Sequence, residues 1–201
     1  MCYHTKQAKT ARELEQRFAA TFAQADDYVP HDQVSGFAHP LTPVIASKAP
    51  QRISLMSWGL IPQWAKDNSI RQYTLNARLE TMREKPSFRD SVQRPCLVLA
   101  DGFYEWQWLD PKGKHKQKYL LTLPGEVAFA FAGLWSDWVD QSTGEVQSTY
   151  TILTTGADTL MAQIHNSKKR MPLILAPENE AVWLAGQPLG LNEVALLAHQ
   201  V

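Results

Sequence analysis

The apolar positions change period several times along the chain. Between residues 8 and 25, Ala11, Leu14, Phe18 and Phe22 recur at spacings of three and four, which predicts an amphipathic helix ended by Asp26, Asp27 and Pro30. Residues 28–47 are rich in Pro and His and read as extended loop with a short strand at 43–45. Residues 52–58 alternate polar and apolar for most of their length, as a half-buried strand does. A loop over 59–68, anchored by Pro62 and Trp64, leads to a strand-like segment at 73–76 and a short helix over 78–83. Residues 96–100 form a continuous apolar strand, and Asp101-Gly102 turns tightly into Phe103-Tyr104-Glu105-Trp106. After a turn at 111–113, residues 118–123 and 128–135 read as paired strands joined at Pro124-Gly125. A strand over 149–154 follows. Residues 155–158 cap a helix over 159–164, a short apolar strand spans 173–175, a helix spans 177–185, and 191–201 is a small helix or tail.

Short, turn-separated strands without regular strand–helix alternation disfavour a doubly wound parallel sheet. The expected class is α+β: one domain over residues 1–201, with a barrel-like, mostly antiparallel β core and short peripheral helices. A chain of 201 residues with 44% apolar and 20% charged residues is long enough to bury a real core.

Charge refines the picture. Lys plus Arg equals Asp plus Glu, at 20 each, which argues against coating nucleic acid by bulk electrostatics but leaves room for a local basic groove. No apolar run approaches the roughly 20 residues of a membrane helix, and the N-terminus lacks the apolar core of a signal peptide. The expectation is a cytoplasmic monomer without membrane attachment. Two cysteines, Cys2 and Cys96, make neither a disulfide framework nor a Cys-rich zinc site, and the six His show no ligand-like spacing, so no metal and no cofactor are expected.

Four places can do chemistry. Loss of Met1 would leave Cys2 as a 1,2-aminothiol, whose amine and thiol titrate near 8 and 8.5 in model compounds. The amine can form an imine with an aldehyde, and the thiolate can then close a thiazolidine ring. By position alone Cys2 reads better as a chance residue at a fraying end. Glu105, among aromatics after a tight turn, is placed for a raised pKa and general-acid work, or is an exposed Glu on an alternating strand. Asn76 can orient a substrate hydroxyl or carbonyl, and Arg78 can clamp a phosphate; alternatively Asn76 is a cap and Arg78 pairs with Glu80 at the surface. His165 precedes Lys168, Lys169 and Arg170, which reads as a proton-transfer group beside an anion site or as a charged helix end. Trp58, Trp64, Trp106 and Trp108 could stack on unpaired bases, although Trp in a short-strand protein is more often core.

Taken in order, these residues resemble the SOS-response-associated peptidase family of abasic-site shield proteins. The resemblance rests on Met1-Cys2, Trp58-Gly59-Leu60-Ile61-Pro62 with Trp64, Asn76-Ala77-Arg78-Leu79-Glu80-Thr81, Arg94-Pro95-Cys96-Leu97, Ala100 to Trp106, Ala132-Gly133-Leu134-Trp135, and His165 with Arg170-Met171-Pro172. It implies a partner, single-stranded DNA carrying an abasic site, and a covalent thiazolidine crosslink that shields the lesion. It also implies self-removal of Met1. Cys2 would be the nucleophile, Asn76 would position the sugar or the Cys2 terminus, Glu105 would shuttle protons, and His165 would assist sugar opening or adduct reversal. Arg78 and Arg170 would hold flanking phosphates, with Trp58, Trp64, Trp106, Lys168 and Lys169 along the DNA path. Two departures stand out. Tyr3-His4 replaces the Gly-Arg that commonly follows the family's Cys, and three extra residues separate His165 from Arg170. The alternatives are a thiol-dependent peptidase acting on other proteins and a non-covalent single-strand binder.

Overall fold

The protein is described here from a computed structural model, at residues 2–188, 190 and 194–201. From the N-terminus the elements are β1 (His4–Gln7), α1 (Ala11–Phe18), β2 (Thr21–Phe22), β3 (His31–Ser35), β4 (Leu41–Ala46), β5 (Arg52–Trp58), β6 (Asn76–Arg78) and α2 (Pro86–Arg89). They continue with β7 (Pro95–Ala100), β8 (Gly102–Trp108), β9 (Lys116–Thr122), β10 (Phe129–Val139), β11 (Val146–Gly156), α3 (Thr159–Ile164), β12 (Arg170–Pro172), β13 (Ile174–Leu175), α4 (Pro177–Leu184) and β14 (Leu197–Gln200).

Strands β11, β10, β7, β4 and β5 lie side by side, and β5 pairs with β11 to close the ring. The closing contact is parallel, Thr149 opposite Ser57 and Tyr150 opposite Trp58, so the barrel is mixed although its other seams are antiparallel. β2, β6, β12 and β13 attach outside this ring. An antiparallel five-stranded sheet, in the order β14-β9-β8-β1-β3, makes the second layer. The continuous apolar run on β7 follows from burial of both its faces. Cys96, Val98 and Ala100 join a cluster with Phe103 and Leu121 of the second sheet, while Leu97 and Leu99 join Leu14 of α1, Phe88 of α2 and Trp183 of α4. Residues alternate between strand faces, so a strand buried on both must be apolar throughout.

The expected class holds, and several local expectations change. The first helix starts at a capping box between Thr10 and Glu13 and stops at Ala19, which is left-handed (φ 48°). Phe22 therefore lies on β2, beside β5, yet it buries in the same cluster as Leu14, which is why the helical spacing ran on past the helix. The stretch expected over 28–47 as extended loop with a short strand at 43–45 carries β3 and the whole of β4, which is the longer strand Leu41–Ala46. Residues 79–84 form turns rather than a helix, and the strand before them is Asn76–Arg78. β9 and β10 do not pair: the turn at Gly125 (φ 76°) passes the chain from one sheet to the other. Residues 197–200 form a strand at the edge of the second sheet rather than a helix or tail; the part of that expectation at 191–193 lies outside the described residues.

Candidate functional site

Cys2 enters immediately before β1, which lies between β3 and β8. The β1–β8 register sets His4 opposite Tyr104 and Thr5 opposite Phe103. Cys2 lies two residues beyond this pairing, close enough to Glu105 for the carboxylate charge to act on the thiol. The thiol is fully buried, in the cluster that contains Met56, Trp58 and Phe103, and its Sγ lies 3.9 Å from the His4 carbonyl. Burial first, and the charge of Glu105 second, push the thiol well above its ordinary pKa, so it rests protonated.

Three elements converge on this residue. β6 pairs in parallel with β11, Asn76 opposite Ile152, and from there Asn76 Nδ2 donates to the Cys2 carbonyl at 2.9 Å. Asn76 Oδ1 is buried and accepts no hydrogen bond from the described residues. β8 supplies Glu105, 4% exposed, on the face it shares with Phe103. Burial raises the Glu105 carboxyl to about 7, so both its protonated and ionised forms are populated at neutral pH. α3 packs on β8 and supplies His165 at its C-terminal cap. The His165 Nδ1–H donates to the Arg170 carbonyl at 2.7 Å, which leaves Nε2 as the basic nitrogen. Burial lowers the His165 pKa, so the ring is neutral near pH 7.

The three additional residues after His165 leave the His165–Arg170 contact intact. They fold as a turn in which Lys169 adopts φ 49° and its N–H donates to the His165 carbonyl at 2.8 Å. Asn166 fastens this turn to β8 by bonding both the N–H and the carbonyl of Trp108, at 3.0 and 2.9 Å. Lys168 and Lys169 are both exposed.

Other side chains expected on the DNA path divide by environment. Trp58 is fully buried, donates its indole N–H to the Leu75 carbonyl at 2.8 Å and stacks on Tyr150, so it is part of the core and has no face for a base. Arg170 is committed as well. Its fork meets both oxygens of Glu80 at 2.7 and 2.9 Å and it donates to the Thr154 carbonyl at 2.7 Å, so it braces the site instead of offering a vacant phosphate clamp. Glu80 thus pairs with Arg170, not Arg78. Arg78 is exposed, forms no ion pair among the described residues and lies two residues from Asn76 on the same strand face. Trp64 is 52% exposed on its loop, and Trp106 is half-buried with its ring edge against His4. The described residues contain no group of three or more His, Cys, Asp or Glu able to hold a metal. Phe37, exposed and packed on Tyr3, lies in the Pro- and His-rich stretch expected as extended loop, where no periodicity marks it.

The chain is similar to known proteins. The family model described as SOS response associated peptidase (SRAP) matches residues 1–200. The chain is 42% identical over 172 residues to the abasic site processing protein YoqW of Bacillus subtilis (strain 168), a match covering 85% of this chain and 74% of that one. It is 33% identical over 180 residues to the abasic site processing protein HMCES of Xenopus tropicalis, covering 78% of this chain and 52% of that protein. A crystal structure of a protein from Bacteroides thetaiotaomicron superposes with a TM-score of 0.90 at 30% identity, over 100% of this chain and 92% of that one. With a matching architecture, the candidate residues gathered at the N-terminus and a family match along nearly the whole length, the chain belongs to the SOS response associated peptidase family.

Proposed function

We propose that this protein captures abasic sites in single-stranded DNA by condensing the aldehyde of the ring-opened deoxyribose with the amine and thiol of Cys2, once Met1 is removed. The observation that carries the proposal is the Asn76 bond to the Cys2 carbonyl at 2.9 Å, which ties a buried N-terminal cysteine beside a carboxyl of pKa about 7. The abasic-site processing relatives support the same substrate.

The chemistry needs proton carriers at three points. Opening the sugar moves the hemiacetal hydroxyl proton to the ring oxygen and frees the aldehyde. The Cys2 amine adds to the aldehyde carbon, and the carbinolamine loses water to give an imine. The thiol then adds across the C=N bond: a C–S bond forms, the thiol gives up its proton and the nitrogen gains one. Overall one water leaves and nothing is oxidised. Because burial keeps the thiol protonated, ring closure requires an acceptor for that proton, and Glu105 near 7 can take it and return it to nitrogen. Neutral His165, with Nε2 as the base, can relay protons during sugar opening and adduct reversal. Asn76 Oδ1 can accept from the amine or a sugar hydroxyl, and Arg78 on the same strand face can hold a flanking phosphate. The same acid and base would serve self-removal of Met1.

Incubation of the mature protein with single-stranded DNA carrying one abasic site, followed by a denaturing gel, tests this. Wild type should yield a denaturation-resistant adduct, Cys2→Ala none, and undamaged DNA none. Equal crosslinking by Cys2→Ala would refute the proposal. DNA binding without any adduct would leave a non-covalent binder, and turnover of an unrelated peptide would favour a general peptidase.

A further inference from the structure

The aromatic side chains that follow Cys2 have no part in the chemistry above, yet they are built into a surface. Tyr3 packs on Phe37, ring centroids 4.8 Å apart and inclined at 35°, and His4 sets its ring edge-on to both Phe37 and Trp106, at 6.3 and 4.9 Å. Phe37 is 59% exposed, unusual for a Phe held in a fixed turn. The turn is fixed from below. The Gly36 N–H donates to the Tyr3 carbonyl at 2.8 Å, and a Cβ at Gly36 would stand 3.0 Å from the Trp58 ring. His39, left-handed at φ 51°, closes the turn and bonds the Trp58 carbonyl through Nδ1 at 2.8 Å. Buried Trp58 is therefore the floor on which an exposed Phe is mounted.

We infer that Tyr3 and Phe37, flanked by His4 and Trp106, form a shelf that stacks on the unpaired base next to the lesion. The inference rests on the abasic-site reading above and adds a base-binding subsite to it. Three observations favour a nucleobase over other apolar occupants. The shelf is continuous with Cys2, since Tyr3 is the next residue, and both Glu105 and Cys2 exert their fields on the Tyr3 hydroxyl. Its members are aromatic rings, and flat rings with one exposed face bind bases of any sequence. A cation also borders it: Lys118 Nζ donates to Gln33 Oε1 at 2.7 Å, lies 4.2 Å from the Tyr104 ring centroid and acts electrostatically on His4, which favours a ligand with negative charge.

The test uses single-stranded oligonucleotides carrying a tetrahydrofuran abasic analogue, which has no aldehyde, with 2-aminopurine placed in turn on each side of it. Stacking quenches 2-aminopurine. The full-length wild-type protein should quench the probe on one side. Phe37→Ala and Tyr3→Gly should lose the quench and bind about 5- to 150-fold more weakly, the range for one base stacked on an aromatic ring, while Tyr3→Phe should retain both. Phe37 is largely exposed, so Phe37→Ala should keep the wild-type melting temperature, which a parallel melt checks. Unchanged quenching in both Phe37→Ala and Tyr3→Gly would overturn the shelf. So would conversion of a wild-type dimer to a monomer by Phe37→Ala with quenching intact, which would make the patch a self-association face. Crosslinking of wild type to a natural abasic site, run alongside, separates the two ideas. Quenching without crosslinking removes the covalent reading and keeps the shelf; crosslinking with substitution-insensitive quenching does the reverse.

Discussion

Replacing Glu105 with Gln should separate the stability of this fold from its chemistry, and pH gives the size of the effect. Burial lifts the carboxyl from 4.5 to about 7. The folded state therefore holds this proton more tightly than the unfolded chain does. The resulting stability is fully present below about pH 4.5 and is lost as pH rises through about 7. At about 1.4 kcal/mol per pH unit, the loss between those limits is about 3 kcal/mol. Gln keeps the shape and does not titrate. Urea unfolding of both proteins at pH 4.5 and pH 8 measures the difference. Relative to wild type, Glu105→Gln should gain about 3 kcal/mol on going to pH 8, worth about 2–4 °C of melting temperature per kcal/mol. His165, whose pKa is lowered, acts in the opposite direction, losing stability as pH falls through its ordinary value, and it is common to both proteins. The variant should meanwhile crosslink abasic DNA poorly at every pH. A wild-type-to-variant difference that does not change between pH 4.5 and pH 8 would refute the claim that Glu105 is held protonated by burial.

Other expectations separate positioning from packing. Asn76→Ala removes the tether on the Cys2 carbonyl and should slow crosslinking by about tenfold or more without unfolding the protein, as timed gels and a thermal melt would register. Arg78→Ala should weaken DNA binding and reduce the slope of log affinity against log salt by about 1 in a fluorescence titration. Arg170→Ala should instead cost about 1–3 kcal/mol of stability in urea unfolding, by removing the guanidinium that pairs with Glu80 and one of the two donors to the Thr154 carbonyl, the other being the Leu79 N–H. Trp58→Ala should destabilise the fold by about 3–5 kcal/mol, whereas Trp64→Ala should weaken single-strand binding while changing stability by less than about 0.5 kcal/mol.

Legibility in the sequence followed how local each determinant was. The cap at Asp158 and the helix after it, the alternation of β5 and the double-sided apolar run of β7 depend on neighbours in the chain, and each appears where its pattern indicates. Closure of the barrel does not. The parallel β5–β11 seam joins residues some ninety positions apart, and nothing in either strand's pattern marks its partner. Phe22 shows how a periodic pattern can outlast its element when the same cluster receives both a helix and the strand after it. In the site, motif order pointed to Cys2, Asn76, Glu105 and His165, but Trp58 and Arg170 had to be seen in place. One is a buried floor and the other an ion-paired brace, and only contacts with Leu75, Tyr150 and Glu80 distinguish those roles from DNA binding. Phe37 left no signal at all, because its exposure depends on a Gly36–Trp58 contact.

The claim that Cys2 acts through its thiol and its freed amine together is tested most directly by the intact mass of the adduct with abasic single-stranded DNA, taken without reductant. A closed thiazolidine predicts the mass of the protein lacking Met1 plus that of the DNA less one water, with the modification mapped to Cys2 and no mass gain on borohydride treatment. An adduct that survives only after borohydride trapping, that maps to a lysine, or that forms on protein still carrying Met1 would contradict it.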